Sequence, residues 1–523
     1  MTWLIENTLT YSKTLNEKHN FDALIGYTSQ KASDENATIA ASSFPDDAVN
    51  WFNAATVKTG SGDRSAWSML SYIGRLNYNY DGKYLMSLAF RRDGCSRFGS
   101  DAKWGSFPSV SLGWIVTDES FMKKINKISY FKLRGSYGKV GNNNIGNYNY
   151  IASVVTSNYV FNNNIVGGKA LNGIGNNNLT WETTVQEDFG FDLGLFKDRI
   201  FFIYDYYRKN TDGLLYAINI PVQSGFPSIQ SNIGEFRFWG HEFGLETKNF
   251  VGDFRWNTNL NITFNRNKAI KLGTNNTPIG GLGNQGGFSR TEVGYPLGYF
   301  YGYVNDGVYM TQKEYDTQPK YATSMVGTAR MKDISGPNGV PDGIITIADK
   351  TMIGDPNPDF LFGITNEFYY KNFDASIVIA GSVGGDIIDR TLEWTENLDG
   401  VFNVTKEMAE RWRSLDNPGN GNVPRTRTGT TEFFRYNNSR WVSDGSYLAV
   451  KNIALGYTQA MKATTYIKSI RFYFSVQNVL MLTNYHGMNP EVGRYGSDGL
   501  QQGIDESSYP IASIYTLGLN VKF

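Results

Sequence analysis

Tyr509-Pro510-Ile511-Ala512-Ser513-Ile514-Tyr515-Thr516-Leu517-Gly518-Leu519-Asn520-Val521-Lys522-Phe523 closes the sequence, and from Ile511 onward it alternates. Ile511, Ser513, Tyr515, Leu517, Leu519, Val521 and Phe523 fall on one face; Ala512, Ile514, Thr516, Gly518, Asn520 and Lys522 fall on the other. A two-residue period puts these sets on opposite sides of a β-strand. One face is bulky and apolar, the other small or polar. That fits a last strand closing a membrane barrel, apolar side to lipid and polar side to the lumen. An edge strand of a soluble sheet is the alternative.

Composition favours the barrel. The 523 residues include 33 Tyr, 33 Phe, 11 Trp and 56 Gly, and only 19% are charged, with zero formal net charge. Aromatic girdles and glycine-rich turns are what a membrane barrel needs. No stretch approaches 18 continuous apolar residues, which excludes a transmembrane helix. There is no basic stripe for nucleic acid. The single Cys95 rules out an internal disulfide framework, and His19, His241 and His486 lie too far apart in sequence to suggest a histidine metal site or triad. The start, Met1-Thr2-Trp3-Leu4-Ile5-Glu6-Asn7, has no basic and apolar leader pattern, so the leader an outer-membrane protein needs is expected outside this sequence.

Alternation and turn signals predict about sixteen strands. Trp3–Lys13 pairs with Lys18–Ser29, and a long polar loop is expected over Gln30–Ala66. Trp67–Tyr80 and Lys83–Arg92 flank Asp81-Gly82, a two-residue hairpin turn. Phe107–Thr117 and Ile128–Val140 follow, then an Asn/Gly-rich loop, Gly141–Asn178. Leu179–Phe196 turns into Arg199–Asn210, and Ser228–Lys248 into Phe254–Lys268. A long excursion with a possible strand at Leu297–Val304 precedes Asp359–Tyr370 and Phe373–Ser382. A second, with a helical stretch near Val404–Arg413, precedes Ser446–Gln459 and Ile470–Leu480. Tight turns thus alternate with loops of tens of residues, as in outer-membrane barrels with short periplasmic turns and long extracellular loops. The fold class read here is all-β: a transmembrane antiparallel β-barrel.

Several segments then become specific. They are Ser71-Tyr72-Ile73-Gly74-Arg75-Leu76-Asn77-Tyr78, Arg91-Arg92-Asp93-Gly94-Cys95-Ser96-Arg97-Phe98-Gly99, Leu133-Arg134-Gly135-Ser136-Tyr137-Gly138 and Leu179-Thr180-Trp181-Glu182. Further on come Ser446-Tyr447-Leu448-Ala449-Val450-Lys451-Asn452-Ile453, Gln477-Asn478-Val479-Leu480 and Asn489-Pro490-Glu491-Val492. In this order the chain resembles the SusC/RagA family of TonB-dependent outer-membrane transporters along essentially its whole length, with Cys95 where the family's DGSSRFG segment has serine. The resemblance implies about 14–16 strands of a 22-stranded barrel, so that residues 1–523 form a partial barrel domain without the N-terminal plug, TonB box and first strands. It also implies a bacterial outer membrane location and a SusD-like surface lipoprotein as partner. Energy would come from TonB-ExbB-ExbD through the N-terminal region, and the ligand would be an oligosaccharide or peptide. Rival expectations are a TonB-dependent siderophore or cobalamin receptor, and a pore-less surface glycan-binding β-protein.

One loop has metal-ligand spacing. In Asn338-Gly339-Val340-Pro341-Asp342-Gly343-Ile344-Ile345-Thr346-Ile347-Ala348-Asp349, alignment on Asp342-Gly343 gives Asn338 position 1, the Ile344 carbonyl position 7 and Asp349 position 12 of an EF-type loop. Val340 sits at position 3 and cannot ligate; Asp333 would compensate. The expectation is a Ca²⁺ or Mg²⁺ loop, with a Pro/Gly turn held by aspartates on backbone as the alternative. Trp51, Phe52, Trp394 and Trp412 are candidates to stack on sugar rings, or else to pack the loops or touch a partner lid. Glu393, Glu396, Glu407 and Glu410, among Arg411 and Arg413, read as a solvated helix face rather than a carboxylate pair for glycoside hydrolysis. Gly381, Gly384 and Gly385 lack the lysine and helix of a phosphate loop, and no nucleophile motif is present. No catalysis and no organic cofactor are expected.

Overall fold

The computed structural model describes residues 1–49, 51–273, 275–280, 287–398, 402–426, 437–461, 466–492 and 499–523. Fifteen long strands follow one another in sequence order in one large antiparallel sheet. They are β1 (Thr2–Leu15), β2 (His19–Ser42), β3 (Val57–Tyr80), β4 (Tyr84–Cys95), β5 (Trp104–Ile115), β6 (Ile128–Asn142), β7 (Glu182–Leu195) and β8 (Ile200–Asp212). The rest are β9 (Glu235–Val251), β10 (Phe254–Lys271), β11 (Phe360–Tyr370), β12 (Phe373–Val383), β13 (Tyr447–Ala460), β14 (Ser469–Thr483) and β15 (Ile514–Lys522). No helix is long and apolar enough to cross a membrane among these residues. The chain divides into two compact units: Met1–Ser120, Lys132–Phe189 and Lys209–Glu235, then Phe121–Phe131, Gly190–Arg208 and Phe236–Phe523.

In the first unit, the registers of β1 to β6 sort side chains by chemistry. Leu9, Ile25, Tyr11, Leu76, Leu88 and Val110 lie on one face, and Ser12, Asp22, Asn77, Ser87 and Ser111 on the other. The apolar face is bounded by aromatic rows. At the short-turn end His19, Tyr80, Tyr84 and Trp114 stand ring to ring at 4.8, 6.1 and 6.3 Å. At the other end Tyr27, Tyr72 and Trp104 do the same at 5.7 and 6.1 Å. Tyr80 and Tyr72 are eight positions apart, which for a strand tilted ~40° is a band ~20 Å tall. That matches the lipid-facing belt of an outer-membrane barrel.

Asp81 and Gly82 are both left-handed, with φ of 54° and 73°, but the register Tyr80↔Tyr84 makes the connection three residues, Asp81-Gly82-Lys83, rather than the two expected. Glycine adopts the left-handed region freely, and aspartate tolerates it.

In the second unit the same sorting recurs. Phe254, Tyr370, Phe373, Tyr457, Phe472 and Leu519 line up across β10 to β15 on one face, with Arg255, Tyr369, Asp374, Gly456, Arg471, Tyr473 and Gly518 on the other. β15 places Tyr515, Leu517 and Leu519 outward, as its alternation requires; its strand begins at Ile514 rather than Ile511 because the ladder to β14 ends at Gln477↔Ile514, beside Asn478 with its φ of 52°.

Four expectations need correction. The segment Gln30–Ala66 is not a loop: β2 and β3 stay paired out to Ser42↔Val57, well past the end of β1 at Ala32. Polar composition concealed this, because a two-sided exposed ribbon carries no apolar alternation. Ser228–Lys248 is two pieces, Ser228–Asn232 paired with Leu215–Asn219, then β9. Gly141–Asn178 is not all loop, for Val154–Thr156 pairs with Lys169–Leu171 and Tyr159–Phe161 with Asn164–Val166, whereas the possible strand at Leu297–Val304 is present as Tyr299–Gly302 in a separate four-stranded sheet. The helical stretch near Val404–Arg413 is a single 3₁₀ segment, Lys406–Glu410.

Candidate functional site

The polar face of β1 to β6 carries a cross-strand network. Ser12 Oγ donates to Asp22 Oδ2 at 2.7 Å, and Ser87 Oγ donates to Asn77 Oδ1 at 2.7 Å. These side chains line a groove of about 700 Å³ with Lys132, Arg134 and Asp188. Hydroxyls, amides and both charge signs on one wall can exchange hydrogen bonds with a polar solute.

At the loop end of the same unit, the Arg91–Phe98 segment is a packed joint. Arg91 Nε donates to both Asp93 oxygens at 2.7 and 2.8 Å, and its Nη2 to Ser71 Oγ at 3.0 Å. The Arg97 guanidinium lies 4.7 Å over the Trp67 ring. Cys95 is buried with Phe98, Phe107, Ile145, Leu179 and Trp181, and Asn143 Nδ2 donates to its Sγ. Of the segments that carried the resemblance, Arg91–Gly99 and Leu179–Glu182 therefore meet in a core.

In the second unit the three long excursions fold into a body with its own cores. Tyr303, Tyr309, Tyr321, Ala329, Met331, Ile345 and Trp441 form one; Phe288, Phe300, Ile388 and Ile504 form another. Each fully buried aromatic removes ~150–250 Å² from water, about 4–6 kcal/mol by area. Backbone pairing ties the excursions together: Asp386–Ile388 runs antiparallel to Val442–Asp444, and Ile388-Asp389 runs parallel to Ile504-Asp505. These loops are thus built surface rather than slack chain.

Buried carboxylates punctuate this body. Tyr485 Oη donates to Asp505 Oδ2 at 2.7 Å, and burial pushes the Tyr485 hydroxyl well above its ordinary pKa. Burial likewise raises Asp386 and Asp389. Glu396 is raised by burial, against the pull of Arg440, which donates twice to Oε2 at 2.8 and 3.0 Å. Glu396 does not lie on a solvated face; it is 4% exposed.

Of the aromatic candidates, Trp51 (76% exposed), Phe52 and Trp394 stand on the surface, and Trp394 meets Phe402 edge-on. Trp412 does not: it is buried, donates Nε1–H to Met310 O at 3.2 Å and lies under the Arg425 guanidinium. Gly327 is required beside it, because a Cβ there would stand 2.4 Å from the indole.

The acidic loop uses its carboxylates on itself. Asp349 is fully buried, with Oδ1 accepting from Ile334 N and Ser335 N and Oδ2 from Thr346 N. Asp342 Oδ1 accepts from Ile344 N, and Asp333 Oδ2 from Gly343 N. Asn338 is exposed, and Ile344 bridges to Lys320. Among the described residues no group of three or more His, Cys, Asp or Glu gathers as a metal site.

Sequence reasoning missed two assemblies. Lys451 and Glu491, quoted above in separate segments, form one ion pair with Tyr447. In Asp355-Pro356-Asn357-Pro358-Asp359, Asn357 bonds Asp355 and accepts from Asn267, while Asp386 Oδ2 accepts from Asp355 N. The Pro-Asn-Pro run ahead of β11 was the signal for it.

Comparison with known proteins gives consistent relatives. Residues 2–333 match the family model described as TonB dependent receptor-like, beta-barrel. TonB-dependent receptor P3 of Formosa agariphila is 36% identical over 543 residues, covering 99% of this chain and 52% of its own. TonB-dependent receptor SusC of Bacteroides thetaiotaomicron is 32% identical over 472 residues, covering 87% and 44%. The solved structure of the RagAB peptide transporter superposes with a TM-score of 0.84 at 25% identity, over 100% of this chain and 55% of that one. The chain spans about half the length of the curated relatives it matches.

Proposed function

The chain belongs to the TonB-dependent receptor-like β-barrel family of the outer membrane, and from that premise we propose that the intact protein is a SusC/RagA-type importer of oligosaccharides or peptides. The observation that carries the reading is the loop body of the second unit, folded on its own aromatic cores at the end opposite the short turns. A surface of that kind supports docking of a SusD-like lipoprotein, while the polar face of the strands lines the path. Binding and passage need no covalent chemistry, and the family is one of transporters rather than enzymes. TonB-ExbB-ExbD supplies the energy through the N-terminal region that such proteins carry. Of the four aromatic candidates, Trp51, Phe52 and Trp394 are exposed and available to ligand or partner.

The test is uptake by cells expressing the native protein, with its gene deleted in the control. Loss of growth on defined oligosaccharides or peptides, with growth on iron chelates and cobalamin intact, supports the reading. The converse pattern replaces it with a siderophore or cobalamin receptor, and reducing sugar released by pure protein replaces it with a glycan-acting surface protein.

A second reading concerns the acidic loop. Asp333 Oδ1 is buried without a hydrogen-bond partner, and a Ca²⁺ or Mg²⁺ ion beside Asp342 would satisfy it. Protection of residues 333–349 from protease by added Ca²⁺, abolished in Asp333→Asn, supports an ion; equal cleavage with EDTA leaves a self-capped turn.

A further inference from the structure

Within the connection between β6 and β7, residues 154–171 form a hairpin that the Asn/Gly-rich composition hid. Val154–Thr156 pairs with Lys169–Leu171, and Tyr159–Phe161 with Asn164–Val166. Asn162 and Asn163 make the tip with φ of 52° and 60°. The register puts Tyr159, Phe161 and Val166 on one face, Val160 and Ile165 on the other. Both faces are open to solvent: Tyr159 is 71% exposed, Phe161 69% and Ile165 76%, with Val154, Val155, Val160, Val166 and Leu171 also exposed. A soluble hairpin would put its apolar residues on one covered face. A two-stranded hairpin alone is at best marginal in water.

We infer that this hairpin is a docking arm that seats in an apolar groove of a protein partner at the loop end of the barrel. The inference rests on the importer reading above and assigns its partner a contact. Three observations select a protein over other occupants. The exposed apolar side chains amount to on the order of 800 Å², the share one side contributes to a standard protein interface. Lys169 is the only charge between Ser153 and Asn172, so the arm has nothing to offer an anionic lipid headgroup or a nucleic acid. The tip is Asn162-Asn163-Asn164, and carrying those amides and the turn backbone into hydrocarbon would strand polar groups at several kcal/mol each. Tyrosine and asparagine on a rigid turn are instead the composition of protein-binding loops.

The foot of the arm is fixed while the tip is free. Just before it, the Tyr148 hydroxyl accepts from Ala66 N at 3.1 Å and Asn147 Nδ2 donates to Ser65 Oγ at 3.3 Å. Just after it, Asn176 Nδ2 donates to Gln230 O at 2.9 Å. A held base presents the apolar tip with little orientational entropy left to lose on binding.

The experiment uses native protein extracted from outer membranes in mild detergent, with the fraction in a lipoprotein complex read by native mass measurement. A photoreactive side chain at position 161 identifies the neighbour. The expected result is a complex with one surface lipoprotein that cross-links from position 161. Phe161→Asn with Ile165→Asn should lower the complexed fraction at least tenfold, while Phe121→Asn, an exposed phenylalanine in the short connection between β5 and β6, leaves it unchanged. Retention of heat-modifiable mobility reports that the double variant still folds. An undiminished complex in the double variant overturns the arm and leaves the docking reading standing. No complex in the unaltered protein overturns both. Cross-links to lipid or to a second copy of the barrel overturn the arm in favour of that occupant.

Discussion

Lys451 on β13 holds both carboxylate oxygens of Glu491, with Nζ–Oε1 at 2.6 Å and Nζ–Oε2 at 2.5 Å, and the Tyr447 hydroxyl donates to Oε1 at 2.9 Å. The pair clamps the loop after β14 onto a strand some forty residues earlier in sequence. Both side chains are about a third exposed, so the direct contribution is only ~1 kcal/mol. Its effect is local order. Lys451→Met should open a new protease site between Tyr485 and Val492 while the barrel's melting temperature barely moves. Glu491→Gln should be milder, since the tyrosine keeps an acceptor. Cleavage mapping by mass spectrometry checks both.

The closing strand depends on Gly518. A Cβ there would stand 2.1 Å from the Tyr473 ring, which lies across the glycine from β14. Gly518→Ala should force the ring aside at a cost of ~1–3 kcal/mol. Removing the ring as well, in Gly518→Ala with Tyr473→Ala, should recover part of that loss. The temperature at which the folded gel band disappears is the readout.

Trp412 and Trp51 should separate stability from binding. Trp412→Ala empties a buried site and should cost ~3–5 kcal/mol in the loop body. Trp51→Ala removes a surface ring and should change stability by no more than ~0.5 kcal/mol, but lower ligand or partner affinity a few-fold. Thermal melts alongside uptake of labelled oligosaccharide and peptide distinguish them.

The loop body should be more stable in mild acid than at neutral pH. Asp386, Asp389 and Glu396 have folded pKa values raised by burial above the usual 3.8 and 4.5. Their folded forms hold protons more tightly than the unfolded chain. Stability is therefore full below the unfolded values and falls as pH rises through the raised folded ones. Asp389→Asn keeps the acceptor for Thr391 N and should flatten part of that slope. Melting curves from about pH 4 to about pH 8 give the slope directly.

Asp349→Ala should loosen the loop over residues 333–349. It strands the Ile334, Ser335 and Thr346 amides, and each buried unpaired donor costs ~1–3 kcal/mol before relaxation. Asp349→Asn, which keeps an acceptor at one position, should lose less. Hydrogen exchange at those three amides is the measurement.

Fifteen of about sixteen expected strands were readable from local pattern, and so were the turns, because lipid on one side and water on the other impose a two-residue period wherever a strand crosses. The outward set Leu517, Leu519, Val521 and the turn Asp81-Gly82 needed nothing beyond neighbouring residues. Where no solvent asymmetry exists, the pattern vanishes. The ribbon past Ala32 and the hairpin at 154–171 have similar surroundings on both faces, and their sequences looked like loops.

The sequence by itself therefore determined the barrel wall, its inside and its outside, and the ordered segments of the family. Tertiary structure alone decided what the loops are. Glu396 became a buried partner of Arg440, Trp412 a core residue, Asp349 a cap, and Lys451 and Glu491 a clamp. Apart from the Asp349 cap on Thr346, three residues away, each of those roles is a pairing between residues distant in sequence, set by burial and hydrogen bonding that no local period encodes.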